Sequence, residues 1–522
     1  MLKKILTLAV LSMFVILPLF QTCQRDVANA YELDCNENTL PGIASSDSIL
    51  DVQYIYNVTK ALSNIIFTEY DEEHGEIAKG RFFGSKGEHK AAEILYENMT
   101  MLGLHTIKDQ IQNIEIKNRP ELAKLTHQID VLDYGLKVNN QTVDCHIVPA
   151  TMGPRENPTL LDYNFSFKDL QIKQKPKFLL PFKFKEALLK ENTDYVFIEE
   201  ESSFIYELQP LYRKILIKFV NPLRLLRVPL LIRNMEKAMK MTQIYENLPH
   251  CKGIIRYDYN MDTYNMGASG EKLPIIYING TVGKKILKDI NNATVDFYLN
   301  QRYNDSVVSY NVIGQLNGTD PTKTVIVDCL YDSWWCQGTA DSAIGMAMVL
   351  GVAKYFKDHN ITPKYNMKFI GFCGEEVGLR GATYYEAANN KENIIYVIDL
   401  NQLGFRQETP KLALNIISNE INFLRKIWNI VKKIDYEKKT GYTSDLIPVW
   451  IPTGAPSDDQ IFALHRPLRC KTLCFLKSYF WVLHHRDGLD HTEGDVLKYF
   501  DWDDVNATGE IVLQVAKYLV GS

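Results

Sequence analysis

From Ser309 to its end, the 522-residue chain alternates strand-like and helix-like segments. Residues 324–330 and 367–372 are apolar almost throughout, as strands covered on both faces must be. Residues 344–356, between them, have the pattern of a helix with a buried face. Strands that alternate with helices build a largely parallel sheet. We therefore expect an α/β layer structure with a mostly parallel central sheet.

A helix ahead of this region is predicted by its own start and stop signals. Ser85 and Glu88 form a capping box, and the apolar stripe that follows ends at Gly103. This helix should pack on the sheet. The remaining predicted elements of the layer are a strand at 394–400 and helices at 419–434 and 510–520.

Residues 121–304 differ in character from the segments on either side. Short β-type runs such as 195–198 and 253–257 lie between clusters of Pro, Gly and Asn, which mark turns. We predict that 121–304 form an inserted β-rich domain. Residues 31–120 and 305–522 then form one discontinuous α/β domain.

The first thirty residues have the pattern of a signal peptide. Lys3 and Lys4 precede an apolar run at 5–20, and Ala28-Asn29-Ala30 offers a small-residue cleavage site. That run is short for a membrane span, which needs about 20 residues. We predict a signal peptide at 1–30 and a secreted or cell-surface protein, with an uncleaved N-terminal anchor as the weaker alternative.

Other sequence features bear on location and partners. The eight cysteines left after cleavage permit disulfides whose pairing stays open, and lipidation of Cys23 stays open as well. No later segment is apolar for long enough to cross a membrane. A formal net charge of −5 argues against a nucleic-acid partner. Asn-x-Ser/Thr acceptors of a glycoprotein occur at Asn57, Asn98, Asn140, Asn164, Asn279, Asn292, Asn304, Asn317, Asn360 and Asn506.

Acidic and imidazole side chains follow the predicted strands. Asp332 and Asp341 come after the first strand, Glu375 and Glu376 come after the second, and His491 precedes the last helix. Ligands of open α/β sheets bind at the carboxyl ends of strands. One of two adjacent carboxylates can bind a cation while the other takes a proton from the cation's water. Each residue alone has an ordinary explanation, such as a helix cap, so the order of the set carries the prediction.

Four motifs in this order resemble those of the zinc aminopeptidase family of clan MH, which includes glutamate carboxypeptidases, glutaminyl cyclases and the non-enzymatic transferrin receptor. The resemblance covers about 80–120 and 305–522 and implies a three-layer α/β sandwich. The insert resembles a protease-associated domain, mainly over 252–298. The motifs are Gly338-Thr339-Ala340-Asp341-Ser342-Ala343, Gly374-Glu375-Glu376-Val377-Gly378-Leu379-Arg380-Gly381, Ser457-Asp458 and His491-Thr492-Glu493-Gly494-Asp495.

The resemblance implies a zinc site with Glu375 as general base. Two family ligand positions are substituted, because Leu330 replaces a His and Asn401 replaces an Asp. Both positions serve the same metal in the family, so one zinc ion is favoured over two. Three ligands with an open fourth position form the usual catalytic zinc site. The ligands carried over by position are Asp341, Glu376 and His491.

Neighbouring residues offer only a partial replacement for the lost ligands. Asp399 lies two residues before Asn401 and shares its strand face, but the offset is about 6.6 Å. A bulge in the strand would be needed for Asp399 to replace a ligand of the second metal. We expect the Leu330 side chain to point into the site. Residues expected in a second shell or at the substrate are Asp332, Asp458 and Tyr331.

These residues predict an exported zinc-dependent exopeptidase, of aminopeptidase type, that acts on a peptide or protein substrate. One alternative is a catalytically inactive binding or scaffold homologue, which the two lost ligands favour. Another is a glutaminyl-cyclase-like cyclotransferase that works with one zinc. Buried carboxylates without a cation are costly, and this argues for a bound metal.

Overall fold

The computed structural model of the protein describes residues 49–65, 70–71, 75–76, 80–148, 160–166, 170–174, 185–189, 195–200, 251–257, 275–288, 294–404, 413–440, 446–466, 470–478, 491–492 and 494–521. The predicted signal peptide, with Cys23, lies outside them. Within these ranges, no helix is both long enough and apolar enough to span a membrane.

The described elements follow the predicted alternation. The helices are α1 Val52–Ser63, α2 Lys86–Met101, α3 Gly280–Lys288, α4 Ile344–Asp358, α5 Arg380–Ala388, α6 Ile421–Val431, α7 Tyr436–Thr440, α8 Asp459–His465 and α9 Trp502–Val520. The strands are β1 Tyr70–Asp71, β2 Gly75–Glu76, β3 His105–Gln110, β4 Gln128–Val138, β5 Gln141–Val143, β6 Cys145–Val148, β7 Leu160–Ser166, β8 Leu170–Gln174, β9 Lys185–Leu189, β10 Tyr195–Glu200, β11 Cys251–Tyr257, β12 Ile275–Ile278, β13 Thr294–Asn304, β14 Tyr310–Leu316, β15 Asp320–Leu330, β16 Tyr365–Phe372, β17 Ile394–Asn401, β18 Ala413–Ser418, β19 Leu446–Trp450 and β20 Lys471–Ser478.

An eight-stranded sheet in the order β19-β18-β20-β17-β15-β16-β14-β3 forms the centre of the α/β domain. Strands β16, β15, β17 and β20 run parallel to one another, whereas β14 is antiparallel to both of its neighbours. Residues 324–330 of β15 are all buried, because helices cover both faces of the strand. The predicted mostly parallel central sheet with flanking helices is confirmed.

Two hydrophobic clusters lie on opposite faces of this sheet. The larger one joins β15 and β16 to helices α1, α2, α4, α6 and α9. The smaller one joins the other face to α5 and α8, through residues such as Ile326, Val397 and Phe462. The sheet is therefore the middle layer of three, and the carboxyl ends of its parallel strands share one edge.

The last helix is longer than the predicted 510–520. It begins at Trp502, and the Asp501 side chain caps it by accepting hydrogen bonds from the amides of Asp503 and Asp504, both at 3.1 Å. Its first turn is acidic. The apolar stripe that revealed the helix in the sequence is therefore missing there.

The region predicted to be inserted is rich in β-structure. Strands β10, β11, β12 and β6 form one four-stranded sheet, and β5, β4, β13 and β7 form another. Where the chain leaves and re-enters the α/β domain, the amide of Val307 donates to the carbonyl of Thr126 at 3.0 Å. The exact domain boundaries and the likeness to a protease-associated domain stay predictions.

The cysteines that can be described are all buried and unpaired. This is consistent with a stability that comes from the hydrophobic core rather than from cross-links between these six. They are Cys145, Cys329, Cys336, Cys373, Cys470 and Cys474.

The capping box at the start of α2 forms with one change. The Ser85 side chain accepts from the amide of Glu88 at 3.1 Å, as predicted. The Glu88 carboxylate instead accepts from the amide of Gly84 at 3.3 Å and from the Ser309 hydroxyl at 2.9 Å, and it bonds the Tyr331 hydroxyl. Burial raises the pKa of Glu88 to about 7, although these hydrogen bonds lower it.

We predict that Glu88 makes the protein less stable as the pH rises from 5 to 8. The folded chain keeps a proton on Glu88 until about pH 7, whereas an ordinary glutamate loses it near 4.5. The stabilisation is therefore full below pH 4.5 and is lost as the pH rises through 7. The shift corresponds to up to about 3 kcal/mol in the free energy of unfolding.

Urea unfolding at pH 5 and pH 8 tests this prediction. Glu88→Gln should remove this part of the pH dependence. The control Glu97→Gln changes an exposed residue of the same helix and should leave it unchanged. An unaltered pH dependence in Glu88→Gln would contradict the prediction.

Candidate metal centre

Three predicted ligands meet at the carboxyl edge of the sheet. Asp341 follows β15, Glu376 follows β16, and His491 comes from the segment before α9. One ligand atom from each lies within 4.8 Å of the other two. Nε2 of His491 is 2.9 Å from Oδ2 of Asp341 and 3.0 Å from Oε2 of Glu376. All three side chains are buried, so the structure brings together the set that the sequence indicated.

The chemistry of this set fits a bound zinc ion. Carboxylate oxygens and an imidazole nitrogen are zinc ligands, and the buried Oε1 of Glu376 has no hydrogen-bond partner among the described residues. Burial raises the pKa of Glu376 to about 7, while His491 lowers it and Asp341 raises it. Burial lowers the pKa of His491, but the two carboxylates raise it well above its usual range. The cluster thus attracts positive charge, which a metal ion supplies when it displaces the proton.

The turn that carries Asp341 is held by a buried arginine. Arg81 has no exposed surface. Its guanidinium donates to the carbonyls of Tyr331 at 2.7 Å, Gln337 at 2.5 Å and Gly338 at 2.9 Å. These carbonyls lie between β15 and Asp341, so Arg81 sets the path of the connection. Sequence analysis missed it, because its acceptors are backbone groups about 250 residues away.

Asp495 and Gln402 also position Asp341. The Asp495 carboxylate accepts from the amides of Ala340 at 2.7 Å and Asp341 at 3.1 Å. Gln402 donates its side-chain amide to Oδ2 of Asp341 at 3.0 Å. Asp495 was visible in the His491 motif without a role. Nothing in the sequence pattern distinguishes Gln402 except its place beside Asn401.

Glu375 lies next to the three ligands and is half-buried. Its backbone amide donates to Oδ1 of Asp332 at 3.2 Å. Burial, followed by the charges of Glu376 and Asp458, raises the pKa of Glu375 well above its usual range. Asp332 has no exposed surface, and burial raises its pKa to about 7. Asp332 thus contacts the backbone of Glu375, and its predicted role beside the metal or the substrate stays a prediction.

The two substituted ligand positions make other contacts. Leu330 has no exposed surface and belongs to the larger hydrophobic cluster. Its predicted orientation into the site stays a prediction. Asn401 donates its side-chain amide to Oγ of Ser457 at 3.0 Å. The Asp399 carboxylate lies close to the side chains of Asp459 and Cys474, in a group separate from Asp341, Glu376 and His491. Asp399 therefore does not replace a lost ligand of the candidate centre.

Tyr331 does not lie where a substrate contact was expected. It is fully buried, and its hydroxyl bonds the Glu88 carboxylate and lies 2.5 Å from the Tyr310 carbonyl oxygen. The side chain thus reaches helix α2 in the core, because the buried Glu88 offers a strong acceptor there. The substrate role predicted for Tyr331 does not fit this placement.

Aromatic rings border the candidate centre. The ring of Trp334 lies 6.2 Å from that of His491, edge to face. Trp335 stacks on Phe82 at 4.4 Å and packs against His146, from the predicted insert, at 4.5 Å. Asp458, the other expected second-shell residue, is fully buried beside the start of α8.

Proteins similar in sequence are peptidases. The sequence model of peptidase family M28 matches residues 311–516. Carboxypeptidase Q of Xenopus laevis is 30% identical over 193 residues, which are 34% of this chain and 36% of that protein. The match thus spans about a third of that relative. The predicted class, a metallopeptidase-type hydrolase, is supported at the level of the family.

Solved structures share the fold over most of the chain. The zinc aminopeptidase BSAP from Bacillus subtilis superposes with a TM-score of 0.56 at 15% identity, covering 90% of this chain and 95% of that chain. A peptidase M28 precursor from Shewanella amazonensis gives 0.58 at 14% identity, covering 91% and 94%. The resemblance inferred from the motifs is confirmed: the model of peptidase family M28 matches residues 311–516, and the solved zinc aminopeptidase and peptidase M28 precursor share the fold of the chain.

Proposed function

We propose that the protein is an exported, zinc-dependent exopeptidase of aminopeptidase type, with one zinc ion held by Asp341, Glu376 and His491. The observation that carries the proposal is the convergence of these three side chains within 4.8 Å. A buried carboxylate beside an imidazole can be explained by an ion pair alone. The addition of a second carboxylate and of Glu375 in the adjacent position makes a peptidase centre the better explanation.

Different residues have different roles in the proposed hydrolysis. Asp341, Glu376 and His491 would hold the zinc ion, which when bound would supply Lewis acidity toward the scissile carbonyl and a water of lowered pKa. Glu375 accepts the proton of the attacking water and delivers it to the leaving amine. Burial and the charges of Glu376 and Asp458 raise the pKa of Glu375, so its carboxylate is a stronger base than that of an exposed glutamate. The backbone bond to Asp332 holds Glu375 in place, and Gln402 orients the Asp341 carboxylate.

The proposed single zinc follows from the substitutions at the other metal position. Leu330 has no ligand atom in its side chain. The Asn401 amide donates to Ser457. Asp399, the nearest carboxylate along β17, groups with Asp459 and Cys474 instead. Among the described residues, neither the two substituted positions nor Asp399 adds a metal ligand beside Asp341.

Peptides are the proposed substrates, and the end of the chain that is attacked is open. BSAP is a zinc aminopeptidase, whereas the relative from Xenopus laevis is a carboxypeptidase. Export rests on residues 1–30 and agrees with the Asn-x-Ser/Thr acceptors. A substrate panel of aminoacyl-coumarins, carboxy-terminal dipeptides and N-terminal Gln peptides separates the peptidase proposals from cyclotransferase activity.

An inactive scaffold is the second candidate, and the substitutions at Leu330 and Asn401 favour it. A scaffold does not need the three buried metal-ligand side chains, and burying their carboxylates without a cation costs free energy. Zinc at this centre therefore separates the two candidates, because a scaffold that has lost this metal has no zinc equivalent that depends on His491.

We predict that Glu375→Gln lowers kcat by about 10²–10⁴ and leaves the zinc content unchanged, because the amide cannot accept a proton but Glu375 is not a ligand. Turnover of the best substrate and elemental analysis provide the two measurements. The exposed Glu97→Gln serves as control and should keep full activity. Undiminished turnover in Glu375→Gln would remove the base assignment.

We predict that His491→Ala loses one zinc equivalent per chain on dialysis, together with activity, because only two carboxylate ligands remain. Zinc should then no longer raise the Tm through this site. Elemental analysis before and after dialysis measures the loss. His105→Ala, at an exposed position of β3, is the matched control. Equal zinc content in His491→Ala and the control would contradict the ligand assignment.

A further inference from the structure

A second group of buried side chains lies apart from the three proposed ligands. In the parallel sheet, Asp328 of β15 pairs with Asp399 of β17, and Asp399 pairs with Cys474 of β20. Neighbouring strands are about 4.8 Å apart, and paired residues point to the same face. These three side chains therefore form a row across three strands, here called the acidic row. None of them has any exposed surface.

Helix α8 closes the acidic row from the outer layer. Asp459, the first residue of α8, is fully buried. Its carboxylate accepts from the amide of Ala455 at 3.0 Å and from the Thr472 hydroxyl at 2.7 Å. One ligand atom each from Asp459, Asp399 and Cys474 lies within 4.8 Å of the other two. Two carboxylates and a thiol from three separate elements thus converge on one point.

Asp328 gives an independent indication of a ligand at this point. Both of its carboxylate oxygens are buried without a hydrogen-bond partner among the described residues. The charges that face Asp328 are all negative and belong to Asp399, Asp458 and Asp459. Like charges directly opposite each other destabilise a sheet, and a buried charge needs a partner. Within the described part of the chain, no positively charged group faces Asp328.

We propose that the acidic row binds a structural Zn²⁺ ion through Asp399, Asp459 and Cys474, with Asp328 as the fourth ligand. Zinc accepts carboxylate oxygen and thiolate sulfur at about 2.0–2.3 Å, which places tetrahedral ligand atoms roughly 3.4–3.8 Å apart. The ligand atoms of Asp399, Asp459 and Cys474 lie within 4.8 Å of one another, and Asp328 is the strand neighbour of Asp399, so side-chain rotation toward the ion is required of Asp328 in particular. Four protein ligands leave no open position, as in structural zinc sites.

The site has a mechanical consequence for the fold. The ion joins β15, β17 and β20 to the start of α8. Ser457, two residues before α8, accepts the hydrogen bond of Asn401. Because the row is fully buried, the ion enters during folding. This site shares no ligand with the candidate catalytic centre, so the inference does not rest on the proposed function.

Zinc analysis of full-length variants tests the proposal. The double variant Asp341→Asn/His491→Ala removes two ligands of the candidate catalytic centre and leaves the acidic row intact. After dialysis against a chelator it should retain about one zinc per chain. Adding Cys474→Ser should lower this to none and lower the Tm. Adding Cys470→Ser, which removes a buried thiol outside the row, should change neither.

The outcome that overturns the proposal is a double variant without zinc. The three carboxylates of Asp328, Asp399 and Asp459 would then be neutralised by protons. The Tm of the Asp328→Asn variant gives a second test, because a bound zinc ion and protonated carboxylates predict Tm changes of opposite sign. It should lower the Tm when it removes a zinc ligand, and raise the Tm when it only relieves repulsion between neighbouring carboxylates. Because the double variant keeps the row unchanged, its zinc content decides the question even where a row variant fails to fold.

Discussion

Negative charge buried at the carboxyl ends of parallel strands is the constraint on which the rest of this structure depends. Glu376 and Asp341 lie within ligand distance of each other at one point of the sheet edge, and Asp399 and Asp459 do so at another. Water cannot solvate these groups, so protons or cations must neutralise them. At the first point His491 contributes positive charge. The described residues offer no such group to Asp328, which makes the two clusters chemically different.

The candidate centre is held mainly through the backbone. Arg81 binds carbonyl groups along the connection to Asp341, and Asp495 binds the amides at its turn. Ligands carried by loops keep their geometry only when the loop itself is held. Because His491 and Asp495 belong to one short segment, the same segment positions the imidazole ligand and the carboxylate that binds the amides at the Asp341 turn. Burial of Arg81 is tolerated because each of its three guanidinium nitrogens donates to a backbone carbonyl.

The substitution of two ligand positions leaves three potential zinc ligands together at the site. Leu330 belongs to the hydrophobic cluster, and Asn401 bonds Ser457, so both substitutions are accommodated by neighbours. The three remaining donors and Glu375 keep a mutual arrangement that suits a one-metal peptidase. The proposed activity therefore depends on what a single ion can do beside Glu375. A family assignment alone does not decide this point, because the family contains members without enzymatic activity.

The sequence alone determined the local and periodic features of this protein. Apolar runs predicted β15, β16 and β17, the capping box predicted the start of α2, and the ordered motifs predicted which residues meet at the sheet edge. Only the tertiary structure decided the long-range partners: the carbonyls that Arg81 binds, the turn of Tyr331 toward Glu88, and the separation of Asp399 from the three ligands. The physical reason is that periodicity and caps depend on neighbours within a few residues. Hydrogen bonds of a buried side chain instead depend on which distant backbone the packing brings to it.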